Sequence, residues 1–397
     1  MRVIVNVAGG YGHLYPLVPL AHALASAGHD VLVAAPLHVG RAVEEVGLEA
    51  LPLPEGAEPS DAFLVRQAVN DPSDRRRAAL ARYLAMAVLQ VPALQEAARD
   101  WQPDVLIRES TAWAAWLTGE LLDLPVVVVD VVPSPTKMLS ATVGRLFADA
   151  RAQVGLPPDP GLTTLLQWLH VVAAPPEWLP AASVGPTTHL FRPPEDPPAT
   201  VRSPAWLDAL DESRPLVYVT LGTVVNRTPG AFELIFEGLA NLPVNVVATV
   251  GPDVDPRSFG SLPSHIRVER FISQAAVLPR AAAVVCHAGY GSLMGALRHG
   301  VPVVTVPLAN ADGAANAARV RALGVGIEIP EGGRSAEAVE NSVRAVLAET
   351  TYQESARRLA RSMEALPPLA AASSLVERVA VERRPILTAR AESRRSR

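Results

Sequence analysis

The sequence predicts an α/β protein of two doubly wound domains, and three observations predict it. Short β-branched apolar runs alternate with longer stretches of helical spacing, the alternation starts afresh near residue 215, and "RPPEDPPATVRSP" (192–204) separates the two series. Such alternation builds βαβ units around a parallel sheet.

In the first series "VIVNV" (3–7) reads as a strand, "YPLVPLAHALASAG" (15–28) as a helix, and residues 30–35 and 126–132 as further strands. The prolines and charges of 192–204 cannot enter a sheet interior and suit a stiff, extended linker. Strands resume at "LVYVTLG" (216–222) and continue through "VNVVATVG" (244–251), "IRVERF" (266–271), "AAVVCHAG" (282–289), "VPVVTVPL" (301–308) and "VGIEIP" (325–330), each followed by a turn or helix. From residue 331 the chain is helical, with Ser335 as a helix N-cap, and it closes in the basic tail "ARAESRRSR". The expected domains are 1–195, a linker 196–214, 215–370, and 371–397, a C-terminal helix free to return to the first domain plus the tail. The cleft between two such domains is the expected site.

Composition narrows the function. At 397 residues, 49% hydrophobic, the chain can fill two sizeable cores. A formal net charge of −5 with interspersed signs leaves no nucleic-acid footprint. The single cysteine, Cys286, excludes an internal disulfide and a cysteine-rich metal cluster, which fits the reducing cytoplasm. The apolar run after Met1 is too short for a signal-peptide core. "TAWAAWLTGELLDLPVVVVDVV" is broken by Glu120, Asp123 and Pro125 within the roughly 20 residues that a membrane span needs, so no span is expected. Few Lys beside many Arg, Ala and Pro hint at a GC-rich, actinobacterial type of genome.

The stretch with most chemistry is "AAVVCHAGYGS". After a buried strand, Gly289 and Gly291 let backbone approach a ligand, Ser292 enters the next helix, and the helix start offers free N–H groups to an anion. His287 can donate to a phosphate oxygen, although glycines after a strand also serve simply to turn the chain. Gly222 and Thr223 end the second series' first strand, where open α/β sheets place ligands; Thr223 can bond phosphate or cap its turn. In the first series Gly9, Gly10 and Gly12 lead to His13. The spacing is not the dinucleotide fingerprint, so a reactive imidazole oriented by a carboxylate is the better use of that turn. Glu109, in "VLIRESTAW", is the candidate carboxylate. The plain alternatives are a turn histidine bonded to backbone, and a Glu109 that pairs with Arg108 or serves as a helix-start carboxylate.

Taken in order and spacing, "GYGHLYPLVPLAHALASAGHDV", "LGT", "HAGYGS" and "GVPVVTVPLANADGAANAARVRALGVG" resemble family 1 glycosyltransferases of the GT-B fold, over nearly the whole chain. Among these the resemblance is strongest to bacterial enzymes that glycosylate antibiotics and other natural products. The resemblance implies that His13 is the general base on the acceptor hydroxyl and Glu109 its partner, where the family usually has Asp. It implies that His287, Gly289, Gly291, Ser292, Asn316 and Thr223 hold the donor diphosphate, that Phe271 stacks on the base in place of the usual Trp, and that Ile272 and Gln274 lie near base and ribose. The family's Asp-Gln pair for sugar hydroxyls reads Asp312-Gly313 here, a departure with two readings: a deoxygenated sugar is accepted, or Gly313 only eases the helix start and a neighbour such as Asn310 supplies the amide.

The expected partners are a small-molecule aglycone acceptor and a dTDP- or UDP-sugar co-substrate, with no further cofactor and no metal; nucleic acid is excluded and a homodimer left open. Transfer is expected to invert the anomeric carbon through an oxocarbenium-like state. The apolar segments "RYLAMAVLQVPALQ" and "TTLLQWLHVV" are either acceptor-pocket lining or helix core. Two other classes stay open: a nucleotide-sugar epimerase, and a catalytically inactive transferase-like scaffold. A pyridoxal-dependent phosphorylase is excluded, because the only lysine, Lys137, sits in an irregular context.

Overall fold

The computed structural model describes residues 1–55, 72–130, 141–180, 184–194, 204–222, 226–308, 312–389 and 391–392. By contacts the chain divides into two units, Met1–Pro194 with Leu366–Arg397, and Glu195–Ala365. The first boundary falls beside the expected one at 195, and the C-terminal segment joins the first unit from residue 366 rather than 371.

The first unit carries strands β1 (Arg2–Asn6), β2 (Asp30–Pro36), β3 (Glu49–Leu53), β4 (Val105–Glu109), β5 (Val126–Asp130), β6 (Leu169–Val172) and β7 (Thr188–Leu190). Their order across the sheet is β3-β2-β1-β4-β5-β6-β7, all parallel. Its helices before the linker are α1 (Tyr11–Leu14), α2 (Val18–Ser26), α3 (Leu37–Glu45), α4 (Pro72–Trp101), α5 (Trp113–Leu122) and α6 (Ala141–Gln153). The helix expected over 15–28 thus begins at Tyr11 and passes through a short 3₁₀ turn at Tyr15–Leu17.

Both faces of this sheet are covered, as a parallel sheet requires. On β1, Val3 and Val5 point into one core layer with Leu20, Leu24 and Val43, while Ile4 points into the other with Leu94, Leu106 and Trp116. The first layer is completed from the far end of the chain by Leu369, Ala372, Val376, Val379 and Ile386. By length and composition, Arg77–Trp101 is the one stretch among the described residues able to cross a membrane, a possibility the sequence reading did not weigh. Its Leu84, Ala87, Val91, Leu94 and Ala98 are buried in the second layer, on one face of a helix whose apolar stretch is 28% buried. "RYLAMAVLQVPALQ" therefore spends one face on core packing, and "TTLLQWLHVV" ends as β6 rather than as a helix.

The second unit repeats the plan with β8 (Leu216–Thr220), β9 (Asn245–Thr249), β10 (Ile266–Glu269), β11 (Ala281–Cys286), β12 (Val303–Thr305) and β13 (Gly326–Glu328), ordered β10-β9-β8-β11-β12-β13 and all parallel. Its helices are α7 (Ala205–Asp208), α8 (Ala231–Leu239), α9 (Gln274–Val277), α10 (Tyr290–Arg298), α11 (Gly313–Leu323), α12 (Ala336–Ala348) and α13 (Thr350–Glu364). The last helix of the chain, α14 (Ser373–Glu382), belongs to the first unit. Ser335 caps α12 as expected, its hydroxyl accepting from the Ala338 amide at 3.0 Å.

In each sheet the winding reverses at one point, between β1 and β4 in the first unit and between β8 and β11 in the second. Open α/β sheets bind ligands beyond the strand ends at such points.

Candidate active site

His13 and Glu109 meet at the switch point of the first sheet. β1 ends at Asn6, the glycine turn follows, and His13 lies on α1; Glu109 is the last residue of β4. The His13 Nδ1 stands 3.1 Å from the Glu109 Oε2, with the imidazole side chain 22% exposed and the carboxylate fully buried. Gly9 makes this approach possible, because a Cβ there would stand 2.4 Å from the His13 Cδ2; at Gly10 and Gly12 a Cβ would meet nothing within 4 Å. Tyr83, from α4, places its ring 6.1 Å from the imidazole.

Glu109 is held on every side. The Ala8 amide donates to its Oε1 at 3.2 Å, the Thr111 amide to its Oε2 at 2.7 Å, and the Thr111 hydroxyl to its Oε1 at 2.7 Å. Burial alone would push this carboxyl up; the His13 charge and hydrogen bond, then Thr111, outweigh burial and hold it below the ordinary carboxylate range. The Arg108 guanidinium is buried and bonds the backbone carbonyls of Glu109, Ser110 and Leu165 rather than the Glu109 carboxylate. Burial pulls Arg108 down to about 10, opposed by the charges of Glu109 and Asp130. Ser110, between the two dyad-side residues, is anchored to Asp130 at 2.6 Å. Thr111 and Asp130 escaped the sequence reading, since a hydroxyl two residues past a carboxylate and an aspartate ending another strand carry no spacing signal.

At the switch point of the second sheet stands His287, directly after β11. Two glycines clamp its ring: a Cβ on Gly289 would lie 2.2 Å from the Nε2, and one on Gly222, whose φ is +73°, would lie 2.7 Å from the Cε1. Burial pulls His287 down to about 4, and the Thr220 backbone offsets only part of that. Among the described residues its Nδ1 is buried without a hydrogen bond of ordinary geometry. Ala288 adopts φ +64°, a conformation costing about 1 to 3 kcal/mol for a residue with a Cβ. Asn316 braces that turn, its Nδ2 donating to the Ala288 carbonyl at 3.0 Å. Helix α10 then starts at Tyr290 with Gly289 as N-cap and no side-chain cap, so Gly291 and Ser292 lie in a first turn whose amides have no intrahelical acceptors. Neutral or charged, such donors suit an anion.

The remaining expected residues distribute unevenly. Phe271 is 72% exposed, a ring free to stack, beside a hollow lined by Asp255, Arg257 and Arg270. Ile272 is 4% exposed, so the whole residue is buried. Gln274 starts α9, and its Oε1 packs over Gly295, where a Cβ would lie 2.6 Å away. Asp312 is the N-cap residue of α11 without a side-chain cap bond, and Gly313 is the first residue of that helix. Thr223 lies outside the described residues, as does Lys137.

Residues 233–377 match the family described as erythromycin biosynthesis protein CIII-like, C-terminal domain. The L-demethylnoviosyl transferase of Streptomyces niveus is 30% identical over 366 residues, covering 91% of this chain and 93% of that protein. Among solved structures, the glycosyltransferase SsfS6 of Streptomyces sp. SF2575, complexed with thymidine diphosphate, has a TM-score of 0.76 at 25% identity and covers 95% of this chain and 99% of its own. The spinosyn rhamnosyltransferase SpnG, complexed with spinosyn aglycone, has a TM-score of 0.79 at 26% identity and covers 95% of this chain and 100% of its own.

Proposed function

Because the chain belongs to the natural-product glycosyltransferases of the GT-B fold, we propose that it moves a deoxyhexose from a nucleotide diphosphate, dTDP before UDP, to a hydroxyl of an apolar aglycone, with inversion, without a metal ion, and in the cytoplasm. The observation that carries the reading is the buried Glu109 carboxylate 3.1 Å from the His13 Nδ1. A carboxylate on Nδ1 favours the imidazole whose Nε2 lone pair is open, and it stabilises the imidazolium once a proton arrives.

The reaction needs three events. The Nε2 of His13 takes the acceptor's hydroxyl proton, the acceptor oxygen bonds to the anomeric carbon opposite the leaving group, and the bond from that carbon to the diphosphate oxygen breaks. Negative charge then gathers on the diphosphate. His287, the amides opening α10 and the Ser292 hydroxyl are the donors for it, preorganised stabilisation of the kind worth several kcal/mol in other enzymes. Asn316 acts through the Ala288 carbonyl, as a brace for that turn. Phe271 offers the base a stacking face. The dTDP carrier draws support from the thymidine diphosphate bound by SsfS6, and the apolar acceptor from the spinosyn aglycone bound by SpnG.

The deoxyhexose rests on Gly313, which has no side chain to demand a sugar hydroxyl, with Asp312 left to hold one. Turnover of UDP-glucose and of dTDP-linked 6-deoxyhexoses, compared in the presence of chelator for wild type and Gly313→Gln, tests it. Wild type should favour the 6-deoxyhexose, and the Gln should move the ratio toward glucose. Preference of wild type for UDP-glucose, or an unmoved ratio, rejects the sugar assignment.

A further inference from the structure

Resting on the reading of His13 and Glu109 as the base pair, we infer that Arg108 is the positioning residue that holds the Glu109 carboxylate against the imidazole, by fixing the peptide that carries it. Side chains alternate along a strand, so on β4 Glu109 turns toward His13 and Arg108 toward the second core layer, beside Trp113 and Leu165. Arg108 is 1% exposed, and among the described residues its guanidinium makes no ion pair; its hydrogen bonds go to main-chain carbonyls. Burial holds it down to about 10, which leaves it charged near neutral pH. A buried charge without a carboxylate partner is a poor stabiliser in itself, so its use lies in what it grips.

The Arg108 Nη1 grips two successive carbonyls, those of Glu109 and Ser110, each at 3.1 Å. Successive carbonyls of a strand point to opposite sides, so two that converge on one nitrogen have left the strand, and β4 ends at Glu109. The turn that follows returns the Thr111 amide and hydroxyl to the Glu109 carboxylate. On its other side the guanidinium is tied to groups that are themselves fixed. Its Nη2 donates to the Leu165 carbonyl at 3.4 Å, next to Thr164, whose hydroxyl bonds the Glu120 carboxylate at 2.6 Å, and its central carbon lies 4.5 Å over the Trp113 ring. One planar fork thus connects the turn of the base pair to the scaffold beneath it. Lysine, with one nitrogen and no flat face, cannot make these contacts together. The bond from Ser110 to Asp130 holds a side chain of the turn but not the Glu109 peptide, so the turn survives loss of the fork while its aim does not.

The experiment needs no substrate. The full chain labelled with ¹⁵N-histidine is followed by ¹H–¹⁵N correlation of the His13 imidazole, its signals identified by their absence in His13→Gln, and exchange of the Nδ1 hydrogen with water reports the contact with Glu109. Glu109→Ala defines exchange without that contact. Arg108→Lys should exchange this hydrogen at least about 10-fold faster than wild type, the scale of one charge-assisted hydrogen bond, while backbone amide exchange in β1, β2 and β5, read by mass spectrometry, stays as in wild type. Wild-type exchange of the His13 hydrogen in Arg108→Lys overturns the inference, and so does faster amide exchange throughout β1 and β2, which would make Arg108 an ordinary core residue. If Arg108→Lys does not fold, Arg108→Gln, which keeps a planar donor, takes its place with the same outcomes; failure of both to fold overturns the inference as well. The underlying reading fails separately: equal exchange in wild type and Glu109→Ala removes the base pair, and the role of Arg108 with it.

Discussion

His13 and His287 show how much of this chemistry depends on single atoms that are missing. Gly9 is required because a Cβ would stand 2.4 Å from the His13 ring, while Gly10 and Gly12 face open space. Gly9→Ala should thus cost about 10- to 100-fold in kcat by displacing the base, with Gly10→Ala and Gly12→Ala close to wild type; equal effects at all three positions would show that the turn, and not the ring contact, matters. His287 makes a different prediction. Its folded value of about 4 lies below the ordinary histidine value of 6.5, so between those two pH values the unfolded chain binds a proton that the folded protein does not. Stability from this group is fully present above about pH 6.5 and drains away as pH falls toward 4, by on the order of 3 kcal/mol in all. Denaturant titrations of wild type and His287→Asn without nucleotide should therefore diverge through that window, with wild type losing more; parallel curves would show that His287 is not held neutral. Both histidines were legible in the sequence because each follows a strand and shares a turn with glycines. Thr111, Ala288 and the inward side chain of Ile272 were not, since a hydroxyl's partner, a positive φ and a side chain's direction depend on neighbours far away in sequence.

The strands legible in advance were those whose β-branched runs are long enough to be buried on both faces, such as "VIVNV" and "VVVVD". Those that escaped were β3, β6 and β7. The first contains Pro52 and exposed Glu49, the second was absorbed into a longer apolar stripe, and the third is three residues, "THL", at a sheet edge. Edge strands have one neighbour and need less apolar sequence. The terminal helix is the element whose partner local patterning alone cannot name. Val376 and Val379 on α14 are fully buried in the same layer as Val3 and Val5. At about 1.5 to 3 kcal/mol for each buried Leu, Val or Ile, the segment contributes an amount comparable to a domain's whole net stability. Val376→Asp, a charge forced into that layer, should loosen the first unit first. Hydrogen exchange should rise at the amides of β1 and β2 while β8 and β11 keep their protection. Unchanged exchange in β1 would mean that α14 is dispensable.

At the scale of the whole molecule, each unit places one histidine at its sheet's switch point, and the proposed function gives the two different tasks. In that proposal the first, backed by a buried carboxylate, takes a proton, and the second, clamped by glycines beside a helix start, meets the charge of the leaving group. The measurement that bears most directly on this is product analysis by mass spectrometry and NMR, after incubation with dTDP-6-deoxyhexoses and polyketide-type aglycones in the presence of chelator, for wild type and His13→Ala, with dTDP affinity measured alongside. Wild type should yield a glycoside with inverted anomeric configuration, and His13→Ala should form it at least about 100-fold more slowly with dTDP affinity unchanged. Recovery of the nucleotide sugar as an epimer without glycoside, or glycoside formation by His13→Ala at the wild-type rate, would contradict the account.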